Sequence, residues 1–223
     1  MNGIAGYRDV AANREGTYAF LARAYRVEVD RVFLDELKSI PLCAGEGAGE
    51  YAEGVELLAA YLGHLGFDPL KDLAVDYARV FLAAGIADGG AAFPFESVYT
   101  SPERLIMQDA RDQVVALYRD HGLGKAESWN EPEDHIALEL EFMAYLCRKG
   151  AEAADRGDGD AVEALVRDQL GFLRTHLLNW VPRFSDDIER YSDTDFYRAV
   201  GKITVGFLRL DEELLAGLLE EGE

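Results

Sequence analysis

Two cysteines, Cys43 and Cys147, are all that 223 residues contain, and no Cys-x-x-Cys is present. A disulfide framework is thereby excluded, as is the commonest thiol metal motif. Basic residues are scarce as well: 22 Lys and Arg stand against 42 Asp and Glu, a formal charge of −20. Such a surface repels phosphate backbones and anionic lipid headgroups. Nucleic acid and membrane are therefore poor partners and a basic partner a better one, unless the acidity serves solubility alone. No apolar run approaches the roughly 20 residues that cross a bilayer, so no stable membrane insertion is expected. The stretch Met1 to Val10 has no apolar core of the kind a secretory signal carries, and a cytoplasmic location is expected. Period-two alternation bounded by turns is nearly missing, which argues against a substantial sheet.

Enzyme signatures are missing too. The chain has no P-loop, no dinucleotide glycine fingerprint, no Gly-x-Ser-x-Gly and no His-Glu-x-x-His. A di-iron site on helices needs Glu-x-x-His, but Tyr61, Tyr118, Pro132 and Leu173 occupy the position three before each histidine. Cys43 has no neighbouring histidine and reads as an inert thiol. Cys147 falls at helical spacing from Ile136, Leu140 and Met143, a core position. Neither a catalytic residue, a metal site nor a cofactor is assigned.

What the chain does have is bulk to bury and helical periodicity. Apolar residues make up 49% and aromatics 11%, enough for one sizeable core and too much for a disordered chain. The spacing predicts helices at about 8–26, 31–39, 50–65, 70–83, 101–121, 132–149 and 160–180, with two or more between 186 and 219. Ser101-Pro102 supplies an N-cap and a first-turn proline for the 101–121 helix, and Gly122 ends it. The expected fold is an all-α, single-domain helical bundle of about nine to eleven helices over residues 1–223. A candidate hinge lies at 122–131. A monomer is expected, with a domain-swapped dimer through that hinge as the alternative.

Two segments stand out. Residues 84–100 are too long for an ordinary connection in a helical domain and carry Phe93, Pro94, Phe95 and Tyr99. Either the loop tucks these rings onto the core, or it forms a peptide-receiving edge. In the second case Phe95 and Tyr99 give apolar area while Glu96 and Ser97 give acceptors. The second segment is Trp129-Asn130-Glu131-Pro132-Glu133-Asp134-His135-Ile136. A helix start explains much of it: Glu131 or Asn130 caps, Pro132 takes the first position, and the acids complement the helix dipole. That reading leaves His135 without a role. It also leaves three clustered carboxylates repelling one another unless a cation joins them.

Taken together, these segments resemble the TorD/DmsD family of redox-enzyme maturation chaperones. Asp76-Tyr77-Ala78-Arg79-Val80-Phe81 resembles the helix before the family's loop, and Pro94-Phe95-Glu96-Ser97-Val98-Tyr99 resembles the loop itself. Glu131-Pro132-Glu133-Asp134-His135 running to Leu140 is similar to the family's E-P-x-D-H-x-x-x-E-L element. His176 to Phe184 resembles H-x-x-x-W-x-P-x-F, and Phe196-Tyr197 opens the last helical region as in relatives. Each motif alone is weak; four in the right order are specific. Gly85 departs from relatives that carry a bulky residue there, and Phe95 and Tyr99 stand where some carry tryptophan.

The resemblance implies a helical chaperone without catalytic activity. Its partner would be the twin-arginine signal peptide of a molybdoenzyme catalytic subunit, held back from export until cofactor insertion and folding are complete. Carried over by position, the peptide-binding residues are Tyr77, Phe81, Pro94, Phe95, Glu96, Ser97, Tyr99, Glu131, Asp134 and His135. Carboxylates suit a guanidinium fork and the rings suit an apolar stretch, with Asp134 the expected arginine contact. Burying a Leu or Phe contributes roughly 1.5–3 kcal/mol against roughly 0.2–1 kcal/mol for an exposed ion pair, so the apolar stretch should dominate affinity. Two alternatives are an acidic helical adaptor and a nitrate-reductase-type assembly chaperone acting on a subunit that is not exported.

Overall fold

The computed structural model describes residues 3–42, 49–84 and 90–220; Cys43 and Gly85 lie outside the described residues. Among the described residues ten α-helices form: α1 (Gly3–Arg26), α2 (Arg31–Ser39), α3 (Glu50–Gly63), α4 (Pro69–Phe81), α5 (Glu96–Thr100), α6 (Asp109–Asp120), α7 (Ile136–Asp155), α8 (Gly159–Phe172), α9 (Val181–Tyr191) and α10 (Asp195–Glu220). A π-helical turn, Leu173–Leu177, extends α8. Among the described residues the only β feature is an isolated antiparallel bridge between Phe95 and His135. None of the described helices is long and apolar enough to cross a membrane.

The chain divides into two compact units. The first comprises Met1–Arg23, Phe95–Asn179 and Leu208–Glu223; the second comprises Ala24–Pro94 and Trp180–Phe207. Residues 122–131 lie wholly inside the first.

In the first unit α7 packs along α8, burying Ile136, Leu140, Met143 and Cys147 from one helix and Val166, Leu170 and Phe172 from the other. Gly157 takes a left-handed φ of 69° at the end of α7, where a Cβ would be strained, and Asp158 then caps α8 by accepting from Ala161 N (3.1 Å). Cys147 is buried, and burial pushes its thiol up to about 12. Arg14 and Asp211 form a buried two-point ion pair, with Arg14 Nη2 donating to Asp211 Oδ2 at 2.9 Å and Tyr18 Oη donating to the same oxygen at 2.6 Å. Breaking one partner of such a pair strands the other charge in the interior, so it fixes α1 against the end of α10.

The second unit is built on rings. Tyr25, Tyr77, Phe81, Phe184 and Tyr197 pack together, with Tyr77–Phe81 and Phe81–Tyr197 centroids 5.1 and 5.3 Å apart. α3 approaches α10 so closely that a Cβ on Gly206 would lie 2.2 Å from Tyr51 N, leaving room only for glycine. Asp76 of α4 is buried and accepts from Asp193 N (2.9 Å), Thr194 N (2.8 Å) and Thr194 Oγ1 (2.5 Å). It thus satisfies the N–H groups of the two residues just before α10.

Most expected helices have a counterpart, although α7 occupies 136–155 rather than 132–149, and one region differs outright. Instead of one helix over 101–121 there are two, α5 inside the expected loop and α6 starting only at Asp109. Ser101 is the C-cap of α5 rather than an N-cap, its N–H bonding to Ser97 O. Residues 101–108 form a connection in which Arg104 (φ 53°) and Met107 (φ 59°) are left-handed, which breaks any helix.

Candidate functional site

The loop motif and the Pro132 motif meet inside the first unit, and Asp134 joins them. Its backbone carbonyl accepts from Glu96 N (3.0 Å), and its Oδ2 accepts from Ser97 N (2.9 Å). These are the first two N–H groups of α5, so a residue 37 positions away caps this helix. Ser97 Oγ in turn accepts from Gln108 N (3.0 Å), anchoring the far end of the 101–108 connection. Asp134 is fully buried, and its Oδ1 has no hydrogen-bond partner among the described residues. Burial pushes the Asp134 carboxyl up, partly offset by the Ser97 hydrogen bonds.

His135 is the N-cap of α7. Its Nδ1 accepts from Ala137 N at 3.1 Å. The idea that an imidazole has no use at a helix start is thus corrected. Neither Glu131 nor Asn130 caps α7, and Pro132 precedes its first turn by several residues. The ring also meets Phe95 and Trp129 edge-on, at 5.2 Å each.

Of the three crowded carboxylates, Glu133 finds its cations within the chain. Arg111 Nε donates to Glu133 Oε2 at 2.7 Å and Lys125 Nζ lies 3.7 Å from Oε1. The Arg111 bond, with the charges of Arg111 and Lys125, holds the Glu133 carboxyl below the usual carboxylate range despite partial burial. Glu96, also buried, has Oε2 3.0 Å from His176 Nδ1 and Oε1 accepting from Asn179 Nδ2 at 3.0 Å. His176 sits on the π-helical turn that extends α8, so the third motif reaches back to the first. The sequence reading offered Glu96 as a free acceptor. The histidine and asparagine three residues apart in His176-Leu177-Leu178-Asn179 were the available sign that this acceptor is already engaged.

A family model described as nitrate reductase delta subunit matches residues 46–186, more than half of the chain. The chaperone protein TorD of Photobacterium profundum is 33% identical over 150 residues, covering 67% of each chain. That of Vibrio cholerae is 31% identical over 155 residues, 69% of this chain and 67% of the relative. TorD of Aliivibrio salmonicida is 30% identical over 189 residues, 84% and 81% respectively. The chain belongs to the TorD family of redox-enzyme maturation chaperones.

In this TorD-family chain the ten candidate residues fall in both units. Phe95, Glu96, Ser97, Tyr99, Glu131, Asp134 and His135 belong to the first, and Tyr77, Phe81 and Pro94 to the second. Tyr77 Oη donates to Tyr25 O at 3.0 Å within the ring cluster. Tyr77 and Phe81 in the second unit and Phe95 and Tyr99 in the first are each buried, none exceeding 9% exposure. Glu96, Ser97, Asp134 and His135 are buried as well, and of the ten only Glu131 is exposed. The rings are interior because each has a packing partner, which the linear spacing did not reveal.

What the fold does expose beside this cluster is Leu105, Ile106 and Met107. The sequence reading placed them in a helix. Three consecutive large apolar residues fit no single face of a 3.6-residue repeat, and that was the legible signal.

Proposed function

We propose that this chain binds the twin-arginine signal peptide of a molybdoenzyme catalytic subunit in the cytoplasm and delays its export until cofactor insertion and folding are complete. Membership of the TorD family supports the chaperone role. The observation that carries the peptide reading is Asp134, a buried carboxylate with one oxygen tied to Ser97 N and the other without a partner. An unsatisfied buried polar atom is costly, and a guanidinium donating to Oδ1 would complete it. The bound conformation must open a path to that oxygen; Glu131, already exposed, offers the first contact for a cation. The excess of 42 acids over 22 bases adds attraction that salt weakens.

The test is calorimetry of the full chain with a panel of synthetic twin-arginine leader peptides. One leader should bind at micromolar affinity or tighter, and its copy with both arginines changed to lysine should bind more weakly. Absence of binding across the panel, or an unchanged affinity for the lysine copy, overturns the reading. The description of the matching family model, nitrate reductase delta subunit, favours a second reading: assembly of a subunit that keeps no leader. Binding to such a subunit, with no binding to any leader, would select it.

A further inference from the structure

We propose that the strip Leu105-Ile106-Met107 is the surface on which the apolar stretch of a client's leader peptide lies; this rests on the leader-binding reading above. The strip is 56, 46 and 58% exposed, and among the described residues it is the only run of consecutive exposed large hydrophobics. Scattered apolar side chains on a surface mean little, whereas contiguous ones mark contact sites.

The backbone holds the strip outward at a cost. Arg104 and Met107, at either end, are both left-handed although neither is glycine. Such conformations persist only where surrounding bonds enforce them, and they gather at functional positions. Those bonds are present: Arg104 N donates to Ser101 O (3.2 Å), Leu105 N to Ser101 Oγ (3.3 Å) and Gln108 N to Ser97 Oγ (3.0 Å). Ser97 is the residue that also donates to Asp134. The strip and the unsatisfied carboxylate are therefore held by one hydrogen-bonded cluster inside one unit.

Charge identifies the occupant. Exposed carboxylates flank the strip, Glu103 before it and Asp109 after it, while the Arg104 guanidinium lies over the Tyr99 ring at 5.9 Å. An oily surface edged with acids on a chain of charge −20 matches a segment that is oily and cationic by turns, which is what a twin-arginine leader is. Met107 adds a flexible, polarisable contact that adapts to differing apolar sequences.

The experiment uses the full chain and a fluorescein-labelled synthetic leader, the one that wild type binds most tightly in the panel above, read by anisotropy. The triple variant L105S/I106S/M107S should keep the wild-type melting temperature, since all three side chains face water, and weaken binding at least about 30-fold, equivalent to about 2 kcal/mol. Ile106→Ser alone should weaken it by a smaller factor. A leader whose apolar stretch is replaced by serines should bind wild type and triple variant equally. If the triple variant binds the labelled leader as tightly as wild type does, the strip is not the docking surface, while the leader-binding reading stands. If no leader binds wild type, both fall. If light scattering shows a wild-type dimer that the triple variant loses at unchanged leader affinity, the strip is an interface between copies and the inference is overturned.

Discussion

Replacing Asp134 separates its two duties, capping α5 and carrying a charge. Asp134→Ala removes the acceptor of the buried Ser97 N–H, now met at 2.9 Å. Leaving a buried donor unsatisfied costs about 1–3 kcal/mol. Taking about 2 kcal/mol, a chain of this length should lose roughly 4–8 °C in melting temperature. Asp134→Asn keeps a carbonyl oxygen for Ser97 and replaces a charge that burial and the Glu96 carboxylate both disfavour. The Asn variant should therefore melt within about 2 °C of wild type at pH 7.

The sign of the pH effect follows from the raised folded-state pKa. The protonated form is the one the fold favours, so its stabilisation is full below the unfolded value of 3.8 and is lost as pH rises through the folded value. Relative to wild type, Asp134→Asn should thus gain stability as pH rises across that window and level off above it. Thermal melts followed by circular dichroism from the acid edge of the folded range to pH 8 measure this directly. If Asn proves as costly as Ala, or its disadvantage grows with pH, the charge itself stabilises the fold and burial is the wrong cause. Leader affinity of the same Asn variant should fall, because the guanidinium would meet a neutral amide.

Three further substitutions test other parts of the molecule. Arg111→Ala should release Glu133, whose carboxyl then returns toward the usual range in an NMR titration, and should cost about 1 kcal/mol at pH 7 by urea denaturation. Because the folded pKa of Glu133 is lowered, that contribution is present above the unfolded value of 4.5 and vanishes as pH falls through the folded one; an undiminished cost at pH 3 would contradict it. Gly206→Ala forces a Cβ onto the backbone of Tyr51 and should lower the unfolding free energy by about 2 kcal/mol or more, whereas Gly217→Ala, with open space around it, should change it little. Equal effects at both positions would refute the close crossing of α3 and α10.

Much of the architecture was legible because helix formation leaves local marks. The 31–39 helix appears with its expected bounds, and its cap, Asp30, lies one residue before the first turn, accepting from Phe33 N at 2.8 Å. The 101–121 helix failed because its apparent start signal, Ser101-Pro102, is real chemistry used for another purpose: Ser101 ends α5 and its hydroxyl holds Leu105 N. Ser101 itself does not announce that choice, since the cap of α5, Asp134, comes from another segment.

Residue identity and local spacing were enough for a helical chain, the order of its helices, a strongly acidic composition and the motifs of the TorD family. All of these depend on residue identity and on spacings of three or four, which neighbours in the chain settle between them. Which side chains meet water was settled by long-range packing. Phe95 and Tyr99 went inside and Leu105 to Met107 outside, Glu133 found Arg111, and Glu96 found His176 80 residues away. Burial and charge pairing are settled by whichever distant groups arrive at the same place, and no local pattern encodes that arrival.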